Sequence, residues 1–307
     1  MAKLSINHIS SNYTSLIIIE KGFRFQFTEM LYFCPVNLKK IYIILVLAAL
    51  VLSSCSKQQK LLKSSDNEAK YAAAMQDYEN HDYYRALQLF QQLINFYQGT
   101  DKAQKMQFYY AYCYYYQKDF ILASYYFKRF TTNYPRSEYA EEALYMNAYC
   151  YYLDSPPSSL DQTNTYTAMN ELQLFIDTYP NSDRVDECTN LIDRLREKLQ
   201  KKAFNIANLY FKMEQYEAAI TSYNTILNDY PGTDYKEEIL FNILQSYYNY
   251  GLKSIESKQG ERYQSALDAY NEFVFQFPDS KFMKQANTIK DQVQKKIDSE
   301  QLTSKSK

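Results

Sequence analysis

One pattern recurs five times along this chain and leaves little freedom for its fold. A small residue is followed by a large apolar one four positions on, by another three further, and usually by proline five beyond that. The second copy reads Ala123, Phe127, Phe130, Pro135, and the third Ala168, Leu172, Phe175, Pro180. The fourth is Ala219, Tyr223, Ile226, Pro231, and the fifth Ala266, Tyr270, Phe273, Pro278. In the first, Ala86, Phe90 and Leu93 lead to Gln98, and Gly99 takes over the stop. Residues three and four apart share one face of a helix, so each copy is a helix showing a small-large-large stripe to a neighbour. Proline ends that helix. Ser137, Ser182, Thr233 and Ser280, each two residues past a proline, are placed to cap the helix that follows.

A helix pair closed in this way resembles the tetratricopeptide repeat. One hairpin cannot bury its own apolar face, so neighbouring hairpins must stack. The fold expected is therefore all-α, a tetratricopeptide-type helical-hairpin solenoid of five repeats with a C-terminal capping helix over Lys281–Leu302. Only 5 Gly and 7 Pro in 307 residues argue against an all-β fold, which needs many tight turns. Asn80-His81-Asp82-Tyr83 and Gln117-Lys118-Asp119-Phe120 read as turns within repeats one and two. Asp154-Ser155-Pro156-Pro157-Ser158-Ser159 reads as a loop inserted in repeat three. Val185–Lys202 reads as an extended amphipathic helix, and Ser257-Lys258-Gln259-Gly260 as a break in the last hairpin.

Near the N-terminus, Lys39-Lys40 precede the twelve apolar residues Ile41–Leu52, and Ser53-Ser54-Cys55 follow. A spanning helix needs about 20 apolar residues, so this stretch reads as a secretory signal. Leu52-Ser53-Ser54-Cys55 resembles a bacterial lipobox. The resemblance implies cleavage before Cys55 and a covalent diacylglycerol and N-acyl lipid on that cysteine as the membrane anchor. The residues upstream of the signal fit a translation start near Met30 or Val36. Removing residues 1–54 takes five bases and two acids from totals of 34 and 35, leaving a net charge of −4. That balance gives no reason to expect nucleic acid as a partner. Ser56-Lys57-Gln58-Gln59-Lys60 lacks both an aspartate after the cysteine and an acidic cluster. By the sorting rules of lipoproteins, this implies the periplasmic face of the outer membrane. Gln58–Asn67 reads as a polar, flexible tether.

Catalysis finds no constellation to stand on. Beyond residue 54 the sequence has one histidine, His81 in a turn, and neither a glycine-rich phosphate loop nor a metal-spaced Cys/His cluster. No catalytic residue, metal ligand or cofactor other than the lipid is expected, and the chain reads as no enzyme. Cys113, Cys150 and Cys188 are odd in number and read as buried thiols. The unusual feature is tyrosine, 34 residues against no tryptophan. Counting every 37 residues through the first helices of repeats one to three gives three columns: Tyr71, Phe108, Tyr145; Met75, Tyr112, Tyr149; and Tyr78, Tyr115, Tyr152. Within each helix these residues form one stripe. It reads either as a peptide-binding wall of flat rings and hydroxyls or as filler between helices.

Taken together, the lipobox, the tether, five repeats with elongated later members and four closing tetrapeptides resemble the BamD-type lipoproteins of the outer-membrane β-barrel assembly machine. Those tetrapeptides are Tyr134-Pro135-Arg136-Ser137, Tyr179-Pro180-Asn181-Ser182, Tyr230-Pro231-Gly232-Thr233 and Phe277-Pro278-Asp279-Ser280. The resemblance covers Cys55 to about Leu302. It implies a scaffold in which N-terminal repeats, with the stripe on their concave side, receive the C-terminal segments of unfolded outer-membrane proteins. The C-terminal repeats would dock on the periplasmic domains of BamA. The division implied is 1–54 removed, 55–67 lipid-anchored tether, 68–182 substrate-receiving half, 183–302 docking half and 303–307 disordered tail. Two other readings share parts of this pattern: a SusD-type glycan-binding lipoprotein, and a periplasmic repeat protein coordinating cell-wall enzymes.

Overall fold

The computed structural model describes residues 57–305, with side chains to Ser299. The signal sequence and Cys55 lie outside the described residues. The chain divides into two compact units, Met1–Ala73 and Ala74–Lys307. In the described part of the first, residues 57–63 are helical and lead through 64–66 into helix α1 (Asn67–Glu79). The sequence reading expects a flexible tether here. Lys57-Gln58-Gln59-Lys60-Leu61-Leu62-Lys63 is instead helical, because every one of these residues is a strong helix former. Asp66 caps α1, its carboxylate accepting from the Ala69 amide at 2.9 Å.

The second unit continues with α2 (Tyr83–Leu93), α3 (Asp101–Tyr116), α4 (Phe120–Asn133), α5 (Ala140–Asp154) and α6 (Thr163–Thr178). There follow α7 (Val185–Lys212), α8 (Tyr216–Asp229), α9 (Lys236–Leu252), α10 (Glu256–Gln276) and α11 (Met283–Lys305). From α2 on, each helix packs on the next, and α11 also reaches α9. The fold is all-α, a succession of tetratricopeptide-type hairpins closed by α11. Every stripe residue named for the second helices is buried except Tyr270, which is half-buried. Ala74, Ala111 and Ala148, between the aromatic columns of the first helices, are fully buried too.

Three hairpins turn in the same way. His81, Lys118 and Glu214 have φ of 61°, 63° and 61°, the left-handed region, and each is followed one residue later by the N-cap of the second helix. The caps Asp82 and Asp119 accept from the amides three residues on, Arg85 and Leu122.

The joints between hairpins depart from the capping expectation. Ser137, Ser182, Thr233 and Ser280 do not sit at the N-cap. Each hydroxyl accepts from the amide two residues on, at 3.0 to 3.3 Å, and so builds a tight turn before the helix starts. The side chain that this turn delivers lies flat on the preceding repeat. Tyr139 stacks on Phe108 at 4.6 Å, Tyr235 on Phe204 at 4.4 Å and Phe282 on Phe241 at 4.6 Å, while the Arg184 guanidinium lies 4.3 Å from the Tyr145 ring centre. A ring pair of this kind adds about 0.5–1.5 kcal/mol beyond its burial.

The buried side chains form two clusters, and α7 belongs to both. Cys188, Leu191, Ile192 and Leu195 complete a core built by α3–α6, and Phe204 and Ala207 open a core built with α8–α11. At 28 residues, α7 is about 42 Å long. It continues past Lys202, where the sequence reading ends it, because no glycine or proline interrupts the run to Lys212. The inserted loop of repeat three is fastened to α7. Lys198 donates to the Ser155 hydroxyl at 2.6 Å and Lys202 to the Leu160 carbonyl, while the buried Gln162 amide donates to Pro157 and Leu160 carbonyls. At the edge of the first core, Glu171 of α6 accepts from Lys128 of α4 at 2.6 Å and from the buried Asn147 of α5 at 2.7 Å.

Two further expectations move. Ser257–Gly260 lies within α10, and the break falls at 253–255 instead. Gly251, near the end of α9, serves close helix approach: a Cβ there would stand 2.5 Å from the ring of the fully buried Tyr263. The closing helix α11 buries Ala286, Ile289 and Val293 against the second core, as a capping helix should, and continues past Leu302 to Lys305.

Candidate functional site

The three aromatic columns of the first helices acquire different roles in three dimensions. The first column forms the joints just described. Phe108 and Tyr145 are each 4% exposed, and their equivalents in the later repeats are Phe204 and Phe241, which take part in the same stacking. Tyr71, the remaining member, is half-buried in the first unit. In the second column Tyr112 is 8% exposed and Tyr149 and Met75 are half-buried; in the third, Tyr78, Tyr115 and Tyr152 are all half-buried. Phe108, Tyr112 and Tyr145 thus have little surface to offer a ligand, whereas the others combine a packed side with an open one.

The open members are in ring-to-ring contact. Tyr78 lies 6.3 Å from Tyr116, which stacks on Tyr112 at 5.8 Å and on Tyr83 at 4.3 Å; Tyr112 meets Tyr115 edge-on at 6.0 Å. In α5, Tyr145 stacks on Tyr149 at 5.5 Å and Tyr149 on Tyr152 at 5.9 Å. The α3 and α5 groups are joined through the core beneath them, against which Tyr78, Tyr115, Tyr149 and Tyr152 all pack. The result is one aromatic tract across the first helices of repeats one to three. Tyr83 and Tyr116 are absent from the column count. Tyr116, 45% exposed, is the most open ring of the tract. A count at a fixed period skips it because its equivalents are Glu79 and Leu153. The signal that could have found it is the unbroken run Tyr114-Tyr115-Tyr116 before the turn.

Hydrogen bonding ties the tract to the joints. The Tyr112 hydroxyl donates to the Glu142 carboxylate in the first turn of α5, and the Tyr145 hydroxyl to Glu187 in the first turn of α7 at 2.8 Å. From sequence, the pair Glu141-Glu142 reads as a solvated helix start. Glu142 and Glu187 also serve as acceptors for the preceding repeat. Burial, then the hydrogen bond to the acid, raises both phenols above the ordinary tyrosine value of 10.0. Burial, then neighbouring rings, raises Tyr78 and Tyr115 as well. All four hydroxyls therefore stay protonated; those of Tyr112 and Tyr145 are spent on the two acids, and those of Tyr78 and Tyr115 keep their proton to donate.

The three cysteines are free and buried, as the sequence reading has them. Burial pushes Cys113 and Cys150 up to about 12 and Cys188 up to about 11, so none is a nucleophile at neutral pH. His81 occupies its turn, its ring nitrogen 2.7 Å from the Tyr83 hydroxyl. No cluster of metal-ligating side chains occurs among the described residues, and no helix among them is long and apolar enough to cross a membrane.

Comparison with known proteins adds the lineage. Over 122 residues the chain is 26% identical to the outer membrane protein assembly factor BamD of Rickettsia prowazekii, a match covering 40% of this chain and 45% of that protein. Over 100 residues it is 27% identical to BamD of Caulobacter vibrioides, covering 33% of each. The chain thus spans less than half the length of the curated relatives it matches. Among solved structures, the TPR domain of P58(IPK) shares 13% identity, with 79% of this chain and 68% of that one covered and a TM-score of 0.37. A TPR repeats protein from Bacteroides fragilis shares 15%, with 76% and 100% covered and a TM-score of 0.36. The family described as YfiO, outer membrane lipoprotein, matches residues 63–263, more than half of the chain. The hairpins α1–α10 and the aromatic tract they carry fall almost wholly inside that match, and the chain belongs to the YfiO family of outer membrane lipoproteins.

Proposed function

We propose that this protein is a non-enzymatic scaffold and receptor of outer-membrane β-barrel protein assembly, held at the periplasmic face of the outer membrane by lipid on Cys55. In this reading the tract of repeats one to three receives the extended C-terminal segments of unfolded outer-membrane proteins, and residues 183–302 dock on the periplasmic domains of BamA. The observation that carries the reading is the aromatic tract. Half-buried rings offer flat apolar area that costs little entropy to order, and protonated hydroxyls supply donors to the carbonyls of an extended chain. Aromatic residues of the incoming segment would settle between Tyr78, Tyr115, Tyr116, Tyr149 and Tyr152. The buried first column keeps those rings at a fixed spacing.

The proposed boundary at 182/183 falls just before α7, whose first half closes one core and whose second half opens the other, so α7 would transmit load between them. Pull-down of the full chain from solubilised outer membranes tests the reading. BamA and unfolded barrel proteins should accompany it. A TonB-linked sugar porin or a peptidoglycan synthase in place of BamA would contradict it.

A further inference from the structure

We propose a second binding site, for a neutral saccharide, in the cleft between α7, α8 and α9. The cleft measures about 560 Å³, within the range of about 300–1,000 Å³ usual for small-ligand pockets. Tyr210 comes from the end of α7, Glu214 from the turn after it, Glu217 from the first turn of α8, and Tyr250 and Lys253 from the end of α9.

The chemistry follows from how the charges are already used. Lys253 pairs with Glu214. The Tyr250 hydroxyl donates to Glu217 at 2.7 Å, and Arg262 of α10 lies 3.6 Å from the Tyr250 ring centre and donates to its hydroxyl at 2.9 Å. Each carboxylate thus has an internal partner, and the rings of Tyr250 and Tyr216 already have a protein cation over them, Arg262 and Lys253. A charged ligand would have to displace one of them. What stays available is the open ring of Tyr210, 38% exposed, and the second oxygen of each carboxylate, already neutralised by its partner.

A pyranose fits this set. Its C–H face lies against an aromatic ring, and its hydroxyls both donate to carboxylate oxygens and accept from the ammonium. Tyr250, Glu217 and Arg262, from three helices, are held by one another before any ligand arrives, which reduces the ordering needed on binding. The site lies outside the aromatic tract of α1–α5, so its failure leaves the peptide-receiving reading standing. An N-acetylated cell-wall chain and a free glucan share this chemistry, and the test separates them.

Titration of the full chain in detergent micelles with chitotetraose, maltotetraose and trilysine, followed by calorimetry, decides the matter. The expected result is that one of the two oligosaccharides binds and that Tyr210→Ala weakens it about 10-fold or more. Glu217→Gln should also weaken it, and Tyr125→Ala on α4 should leave it unchanged, with melting temperatures showing that all variants fold. Preference for chitotetraose assigns the source to the cell wall and preference for maltotetraose to free glucan. No binding of either at millimolar concentration, binding that survives Tyr210→Ala, or preference for trilysine would overturn the proposal.

Discussion

At the scale of the residue, two positions carry backbone constraints that the sequence does not advertise. Lys118 holds φ of 63° in the turn between α3 and α4, a conformation in which a side chain costs about 1–2 kcal/mol. Its side chain makes no contact that offsets this, so Lys118→Gly should raise the melting temperature by a few degrees, about 0.5–1 kcal/mol. An unchanged or lower temperature in a thermal melt would contradict that. Sequence rules look for Gly or Asn in such a turn, and His81, Lys118 and Glu214 supply neither; the first two turns were legible from the aspartates Asp82 and Asp119, and the third, capped by Gln215, was not. Gly251 is the opposite case, a glycine inside a helix with ordinary backbone and no room. Gly251→Ala pushes a Cβ into the Tyr263 ring and should cost about 1–3 kcal/mol, measurable as a lower urea midpoint. The chain alone does not show this role, because the ring that fills the space above Gly251 arrives twelve residues later.

At the scale of the element, the joints between hairpins show what periodicity can and cannot give. The stripes Ala123, Phe127, Phe130 and their equivalents were legible because a three-four spacing has one meaning on a helix. The joint was not, because it depends on a hydroxyl that folds a turn and on a ring that lands on the previous repeat, as Ser137 does for Tyr139 on Phe108. Tyr112 and Tyr145 bond across the same joints, and their folded-state values lie above the 10.0 of an exposed phenol. Folding therefore favours the protonated form. This contribution is complete below pH 10 and is lost as pH rises from 10 toward the raised folded value. Urea midpoints should hold to about pH 9 and then fall. The fall should be shallower in a Tyr112→Phe/Tyr145→Phe variant, and equal slopes would contradict the linkage. Helix α7 is the other element whose role appears only in three dimensions. A proline at Lys201 removes a mid-helix hydrogen bond between the two cores and costs about 3 kcal/mol. Lys201→Pro should split the calorimetric unfolding peak in two; a single lowered peak would mean that α7 does not couple the cores.

At the scale of the molecule, the fold class, the hairpin count and the capping helix were all legible in the sequence, since each hairpin repeats one stripe and one stop. The nine residues of the tyrosine stripe were legible as a stripe but not as three columns with three environments. Spacing fixes which residues share a face, whereas burial depends on where the next hairpin sits. Phe108, Tyr112 and Tyr145 went to the joints, while Tyr78, Tyr115, Tyr149 and Tyr152 kept an open side, the first two beside Tyr116. The account as a whole therefore rests on those open rings being the part that grips a partner chain. The most direct measurement is the affinity of the full chain for a labelled peptide ending in an aromatic residue, taken from the C-terminus of a barrel protein, by fluorescence anisotropy. A Tyr115→Ala/Tyr149→Ala variant with an unchanged melt should bind about 10-fold or more weakly. The same affinity as the unsubstituted chain would contradict the account and leave the tract as packing alone.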